Sequence, residues 1–182
     1  MQWIIPGTVL TGEREDAVFL DKQFDSMFMG GGIVLSQVAS ITGLEPYTVQ
    51  NWVKRGFLPP PERKKYSKRQ LCRIIIINML KNVLPMEQIC GLLSYINGHL
   101  DDESDDIIDD SQLYFMFARM AAHATVMQNP AGRDGIIARE LEGYTEPVPG
   151  AKERVEKVLR IMLTAWASAQ LRAYTEKLLG EL

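Results

Sequence analysis

The sequence predicts a mainly α-helical fold, in which a group of short helices interrupted by a short β wing is followed by a helical C-terminal module. Three observations predict it. Apolar residues recur at helical spacing in segments that stop at Gly or Pro. A triple proline and a basic stretch, PPPERKKY, break that pattern once near the middle, and the stretch from Lys152 to Leu179 holds neither Pro nor Gly. With 182 residues, 46% of them hydrophobic, the chain is long enough to bury a real core. Four regions follow: an N-terminal segment (1–32), the short helices (33–98), an acidic linker (99–110) and the C-terminal module (111–182).

Residues 1–32 carry mixed signals. MQWIIPGTVL is apolar with an early Pro6, and Gly30-Gly31-Gly32 reads as a joint. In LSQVASITGLEPYTVQNWVKRGFL, Leu35, Val38, Ala39 and Ile41 form one apolar face that ends at Gly43. Pro46 suits the first turn of a second helix, where no amide donor is needed, and that helix buries Val49, Trp52 and Val53 before Gly56. Two short helices joined across one Gly are a helix-turn-helix signature. Pro59-Pro60-Pro61 then forces an extended path, and Glu62 to Tyr66 can form a short hairpin or wing. Ser67 and Gln70 fit a capping box. A third helix runs through Leu71, Ile74, Ile75, Ile77 and Met79, and a fourth starts at Pro85, with Ile89, Leu92, Leu93 and Ile96 on its apolar side.

Charge is unevenly placed. The whole chain carries a formal −3, yet Lys54 to Arg73 holds eight Lys/Arg against Glu62 alone, and Asp101 to Asp110 holds seven acids and no base. Fields at a surface decay within about 8–10 Å at moderate salt, so a local basic patch meets a polyanion whatever the net charge. The acidic run lacks the Gly and Glu that a calcium loop needs at its sixth and twelfth positions. It reads as a solvated linker whose last acids, Asp109 and Asp110, sit at the positive end of the next helix; a sharper reading has it fold back over the basic wing. That next helix, SQLYFMFARMAAHATVM, is core-like, and a Gly/Pro-rich loop, NPAGRDG to EGYTEPVPG, separates it from the last.

Several classes are set aside. His99 and His123 have no Cys or carboxylate at ligand spacing on the same helix face, and no phosphate-binding glycine loop, nucleophile elbow or metal-binding helix motif occurs, so neither an enzyme nor a metal or cofactor site is expected. Cys72 and Cys90, without C-x-x-C spacing, fit reduced thiols and a cytoplasmic location. No apolar run is long enough for a membrane span, and no secretory signal opens the chain.

From Leu35 to Ile96 the pattern resembles the MerR-type winged helix-turn-helix: LSQVASITGLE, TVQNWVKRGFL, a basic stretch ending in Tyr (PPPERKKYS), then QLCRIIIINMLKN and LPMEQICGLLSYI. The run QNWVKRGFLPPPERKKYSKRQLCRIIIINMLKNVLPMEQI is more similar still to a family of uncharacterised MerR-like proteins of Gram-positive bacteria, a domain of unknown function. The resemblance covers 33–98 well and 99–130 loosely. It implies a transcription regulator that binds double-stranded DNA as a homodimer; it leaves room for an effector that no residue pattern identifies. Gln50-Asn51-Trp52 stands where MerR regulators usually show Arg-Tyr-Tyr, and the wing lacks the usual Gly before its Tyr.

On a helical projection Tyr47, Thr48, Gln50, Asn51 and Lys54 fall off the Val49/Trp52/Val53 face and are the expected base-reading set. Arg55, Arg63, Lys64, Lys65, Tyr66 and Lys68 are the expected phosphate contacts. On the last helix, Val155, Val158, Leu159, Met162, Trp166, Ala169 and Ala173 form an apolar stripe suited to dimerisation, or to closing the chain's own bundle over the 111–128 helix. A protein-interaction adaptor that keeps the fold without binding DNA is the alternative reading.

Overall fold

The computed structural model describes residues 2–100, 102–123 and 130–181. It is mainly helical, with two small two-stranded sheets. The first sheet is a hairpin of β1 (Gln2–Ile4) and β2 (Thr11–Glu13), with Trp3 and Ile5 turned into the core. Its connection is closed by Thr8, whose hydroxyl donates to the Ile5 carbonyl (2.9 Å) and accepts from the Leu10 amide (3.0 Å). Gly7 has φ +75°, and a Cβ there would stand 2.6 Å from the Ile75 carbonyl oxygen, so only Gly lets this turn rest on the helix beneath it. The Tyr114 hydroxyl donates to the Pro6 carbonyl from the other side (2.9 Å).

A 3-10 turn, Arg14–Phe19, leads into α1 (Leu20–Met27), whose Phe24 ring meets Phe115 edge-on at 5.3 Å. The N-terminal segment is thus part of the core. Its turn hydrogen bonds are local and the Val9 amide donates to the Ile41 carbonyl (2.9 Å), but Asn78, Phe115, Tyr114 and Ala122, which also hold it, lie about 70 to 110 positions later in the chain, beyond the reach of a periodicity argument.

Helices α2 (Leu35–Thr42) and α3 (Pro46–Lys54) form as their punctuation dictates. Gly43 is left-handed (φ +69°) and its amide donates to the Ala39 carbonyl (2.8 Å). A Cβ on Gly43 would stand 2.6 Å from a methyl of Val9. Val49 and Trp52 are buried and Val53 is half-buried. Strand β3 (Ile33–Val34), which runs straight into α2, pairs antiparallel with β4 (Lys65–Tyr66). Between α3 and β4 the chain makes a tight turn at Glu62–Lys65, closed by the Lys65 amide on the Glu62 carbonyl (2.8 Å).

The capping box forms as its residues require: Ser67 Oγ accepts from the Gln70 amide (3.1 Å), and Gln70 Oε1 accepts from the Ser67 amide (2.8 Å). Gln70 Nε2 also donates to the carbonyls of Pro59 and Pro60, which binds the proline segment to the start of α4 (Lys68–Leu80). Every residue from Leu71 to Ile77 is buried, Arg73 included, because α4 is the central helix and is covered on all sides. α5 (Met86–Asn97), α6 (Asp110–Ala121) and the first half of α8 (Ala151–Leu179) pack around it.

Two sequence expectations change here. The loop between the last two long helices contains α7 (Pro130–Glu140), with Ile137 buried and Leu141 buried just after it; its two glycines mask a short amphipathic helix. The 111–128 helix ends at Ala121, with His123 exposed beyond it, and its expected continuation over 124–128 lies outside the described residues. One cluster of buried side chains runs from Trp3 to Trp166, so the four sequence regions share a core.

Candidate nucleic-acid interface

Packing on α2 fixes which side of α3 is free. With Val49 and Trp52 inward, Tyr47 is 70% exposed, Gln50, Asn51 and Lys54 are exposed, and Thr48 is half-buried. The expected base-reading set therefore lies on one outward surface of a nine-residue helix. Arg55, just past its end, lays its guanidinium over the Phe57 ring at 4.7 Å, a contact worth about 0.5–1 kcal/mol that leaves the group exposed.

The tight turn after the prolines carries Arg63 and Lys64 at its tip. They have φ of +48° and +64° and are the two non-Gly residues with positive φ among the described residues. Such a turn normally recruits Asn and Gly, because a Cβ in the left-handed region costs about 1–2 kcal/mol. Both side chains are exposed, and neither has an acidic partner among the described residues. Lys65 is also exposed, with its ammonium on the Gly30 carbonyl (2.9 Å). The β3–β4 pairing ties this basic tip to the strand that leads into α2, which places it by backbone hydrogen bonds rather than by a flexible loop.

Two residues expected at phosphates are occupied otherwise. Tyr66 is 3% exposed and part of the core; burial pushes its hydroxyl above the ordinary tyrosine range, and the side chain serves packing. Lys68 is half-buried, paired with Asp25 at 2.5 Å and held 5.1 Å over the Phe115 ring. Tyr66 pairs with Ile33 across the β3–β4 ladder and Lys68 meets α1 and α6, contacts that sequence spacing does not reveal.

The acidic run is a packed strap from Asp106 onward. Ile107 and Ile108 are buried, the Ile107 amide donates to Ile96, and Tyr144 donates its hydroxyl to the Ile107 carbonyl at 2.5 Å. Asp109 caps α6 by accepting from the amides of Ser111 and Gln112. Asp106 pairs with Arg69, and Asp110, 1% exposed, accepts from Arg73 Nη1 (3.2 Å) and Asn97 Nδ2 (2.8 Å). Burial pushes the carboxyls of Asp106 and Asp110 above the usual range; Arg69 opposes this at Asp106, and Arg73, then Arg69, at Asp110. The strap thus neutralises α4 and leaves the tip cations Arg63 and Lys64 unscreened. The sequence signal for this network is the spacing of Arg69 and Arg73, one turn apart, with Arg73 set among the apolar residues Leu71 to Ile77.

The stripe on α8 divides. Val155, Val158, Leu159, Met162 and Trp166 are buried in the chain's own core, with Trp166 edge-on to Phe117 at 6.1 Å. Ala169 is half-buried and Ala173 exposed. From Gln170 onward every described residue of α8 is exposed, and Leu171, Tyr174 and Leu178 mark an apolar line there. Among the described residues, no helix is long and apolar enough to cross a membrane.

Residues 33–117 match a family described as a domain of unknown function (DUF1836). The match covers a little under half of the chain, beginning at β3 and ending within α6. It therefore takes in the helix pair, the basic turn, α4, α5 and the acidic strap. The chain is also 27% identical over 118 residues to an uncharacterized protein of Bacillus subtilis (strain 168), YkrK, covering 63% of this chain and 51% of the relative. The chain thus spans about half the length of that curated relative. No solved structure matches it.

Proposed function

We propose that the protein is a cytoplasmic DNA-binding transcription regulator built on a MerR-like winged helix-turn-helix and acting as a homodimer. The observations that carry this reading are the outward polar face of α3 and an exposed cationic turn whose backbone adopts an unfavourable conformation. Strain of that kind persists where the surrounding structure enforces it, and here it presents two positive side chains to solvent. Gln50 and Asn51 have the paired donor and acceptor that match adenine in the major groove, while Lys54, Arg55, Arg63, Lys64 and Lys65 suit phosphates or a guanine edge.

The test is duplex binding measured against salt. The logarithm of affinity falls with the logarithm of salt at about −0.9 per phosphate neutralised. Asn51→Ala costs about 1–3 kcal/mol on the preferred sequence and little on random duplex, whereas Lys64→Ala weakens both alike. A flat salt dependence would instead favour a protein-interaction adaptor.

The exposed end of α8 supports the dimer. Leu171, Tyr174 and Leu178 follow steps of three and four on turns whose described residues are all exposed, which suits the same line on a second copy. Sedimentation is expected to give a dimer at micromolar concentration, and a monomer for Leu171→Glu with Leu178→Glu. A wild-type monomer would remove this part of the reading.

A further inference from the structure

Gln70 makes more bonds than its helix requires. It closes the capping box of α4 through Oε1, and a Glu would do that equally well while also suiting the positive end of the helix. Glu has no donor, however, and Gln70 uses one: its Nε2 lies 3.2 Å from the Pro59 carbonyl oxygen and 2.9 Å from that of Pro60. A side-chain amide carries two N–H donors, one for each carbonyl. With a backbone N–H on one side and two carbonyls on the other, the partners fix which way the amide points.

Those carbonyls belong to a segment that cannot tether itself. Up to Leu58 the chain leaving α3 is held: the Phe57 amide donates to the Trp52 carbonyl (2.9 Å), Arg73 Nε donates to the Phe57 carbonyl (3.3 Å), and Leu58 is buried. Pro59, Pro60 and Pro61 then have no amide hydrogen and can only accept. The next residue, Glu62, already belongs to the basic turn, which has two arms. The outgoing arm, β4, is fixed by its pairing with β3. The incoming arm is the proline segment, held from α4 by Gln70. Between the arms Arg63 and Lys64 keep positive φ, a conformation that persists only where its surroundings enforce it.

We infer that Gln70 is a positioning residue for the basic turn: by clamping Pro59 and Pro60 to α4, it keeps Arg63 and Lys64 in the left-handed conformation and fixes where their side chains stand. What this does for duplex binding rests on the regulator reading; the clamp itself does not.

Amide hydrogen exchange, measured without DNA, tests the clamp. The reporter is the Lys65 amide, which closes the turn on the Glu62 carbonyl. Gln70→Glu keeps the capping box but turns an acceptor toward the two proline carbonyls, and Gln70→Met removes both functions. Each is expected to speed Lys65 exchange by about tenfold or more, because the turn then opens locally. In a background of Arg63→Asn with Lys64→Gly, whose turn needs no restraint, Gln70→Glu should leave that exchange nearly unchanged. A wild-type rate in Gln70→Glu would mean that only the helix cap matters and would overturn the inference, as would equal acceleration in both backgrounds. Duplex binding by the uncharged Gln70→Met variant then tests the positioning. Affinity is expected to fall about threefold to tenfold, with a salt slope flatter by up to about 1.8, the share of two phosphates. Unchanged affinity and slope beside a loosened turn would remove the role in binding. If the wild type binds no duplex while exchange behaves as described, the clamp stands and the regulator reading falls.

Discussion

Arg73→Met is expected to cost about 3–5 kcal/mol of stability at pH 7, because it strands the Asp110 carboxylate in the core. For a chain of this size that lowers the thermal midpoint by roughly 10 °C. Asp110 keeps Asn97, and Arg69 remains at 3.8 Å, but the guanidinium in contact is gone. The loss has a definite pH dependence. Burial already holds the Asp110 carboxyl above its ordinary value, and Arg73 is the larger of the two influences opposing that. Without Arg73 the folded-state value rises further, while the unfolded value stays at that of an ordinary Asp. Between those two values the folded state holds the proton and the unfolded state does not, so stability increases as pH falls through that window. The deficit relative to wild type is therefore largest at neutral pH and shrinks toward pH 4.5. Urea denaturation at the two pH values reads it directly; an equal or larger deficit at pH 4.5 would refute the account. Adding Asp110→Asn to Arg73→Met should recover part of the loss at pH 7 and little at low pH.

The second large effect is a trade at the basic turn. Arg63→Asn with Lys64→Gly supplies the residues that positive φ favours and should raise stability by about 1–2 kcal/mol. The same change removes two cations, so duplex affinity should fall roughly ten- to thirtyfold at moderate salt, with the salt slope flattened by about 1.8. Stability and affinity move in opposite directions only if the backbone conformation is maintained for the sake of what the tip contacts. A variant that gains stability and keeps full affinity and slope would show that the tip does not meet phosphate.

Legibility in the sequence followed the range of the interactions. α2, α3 and the start of α4 were readable because Gly43, Pro46 and the Ser67/Gln70 box act within a turn of themselves. The β1–β2 hairpin was not, since it rests on Ile75 and Tyr114 through Gly7 and Pro6. In the candidate interface, the outward residues of α3 followed from Val49 and Trp52, whereas the fate of Tyr66 depended on its pairing with β3 and that of Lys68 on α1 and α6. Periodicity on α8 correctly announced a buried face. It could not say that this chain's own core, with Phe117 against Trp166, would do the burying. Charge misled in the acidic run for a related reason: Ile107 and Ile108 sit between the acids and draw the segment inward.

The docking of the first fifteen residues has a consequence for biosynthesis. Pro6 receives its hydrogen bond from Tyr114, and Arg14 donates to the Ala122 carbonyl, each across 108 positions. At roughly 5–20 residues per second, the hairpin is synthesised some 5–20 s before those partners are made. Trp3 and Ile5 therefore wait for the last of their surroundings through that interval, so the segment synthesised first is among the last to be fully secured.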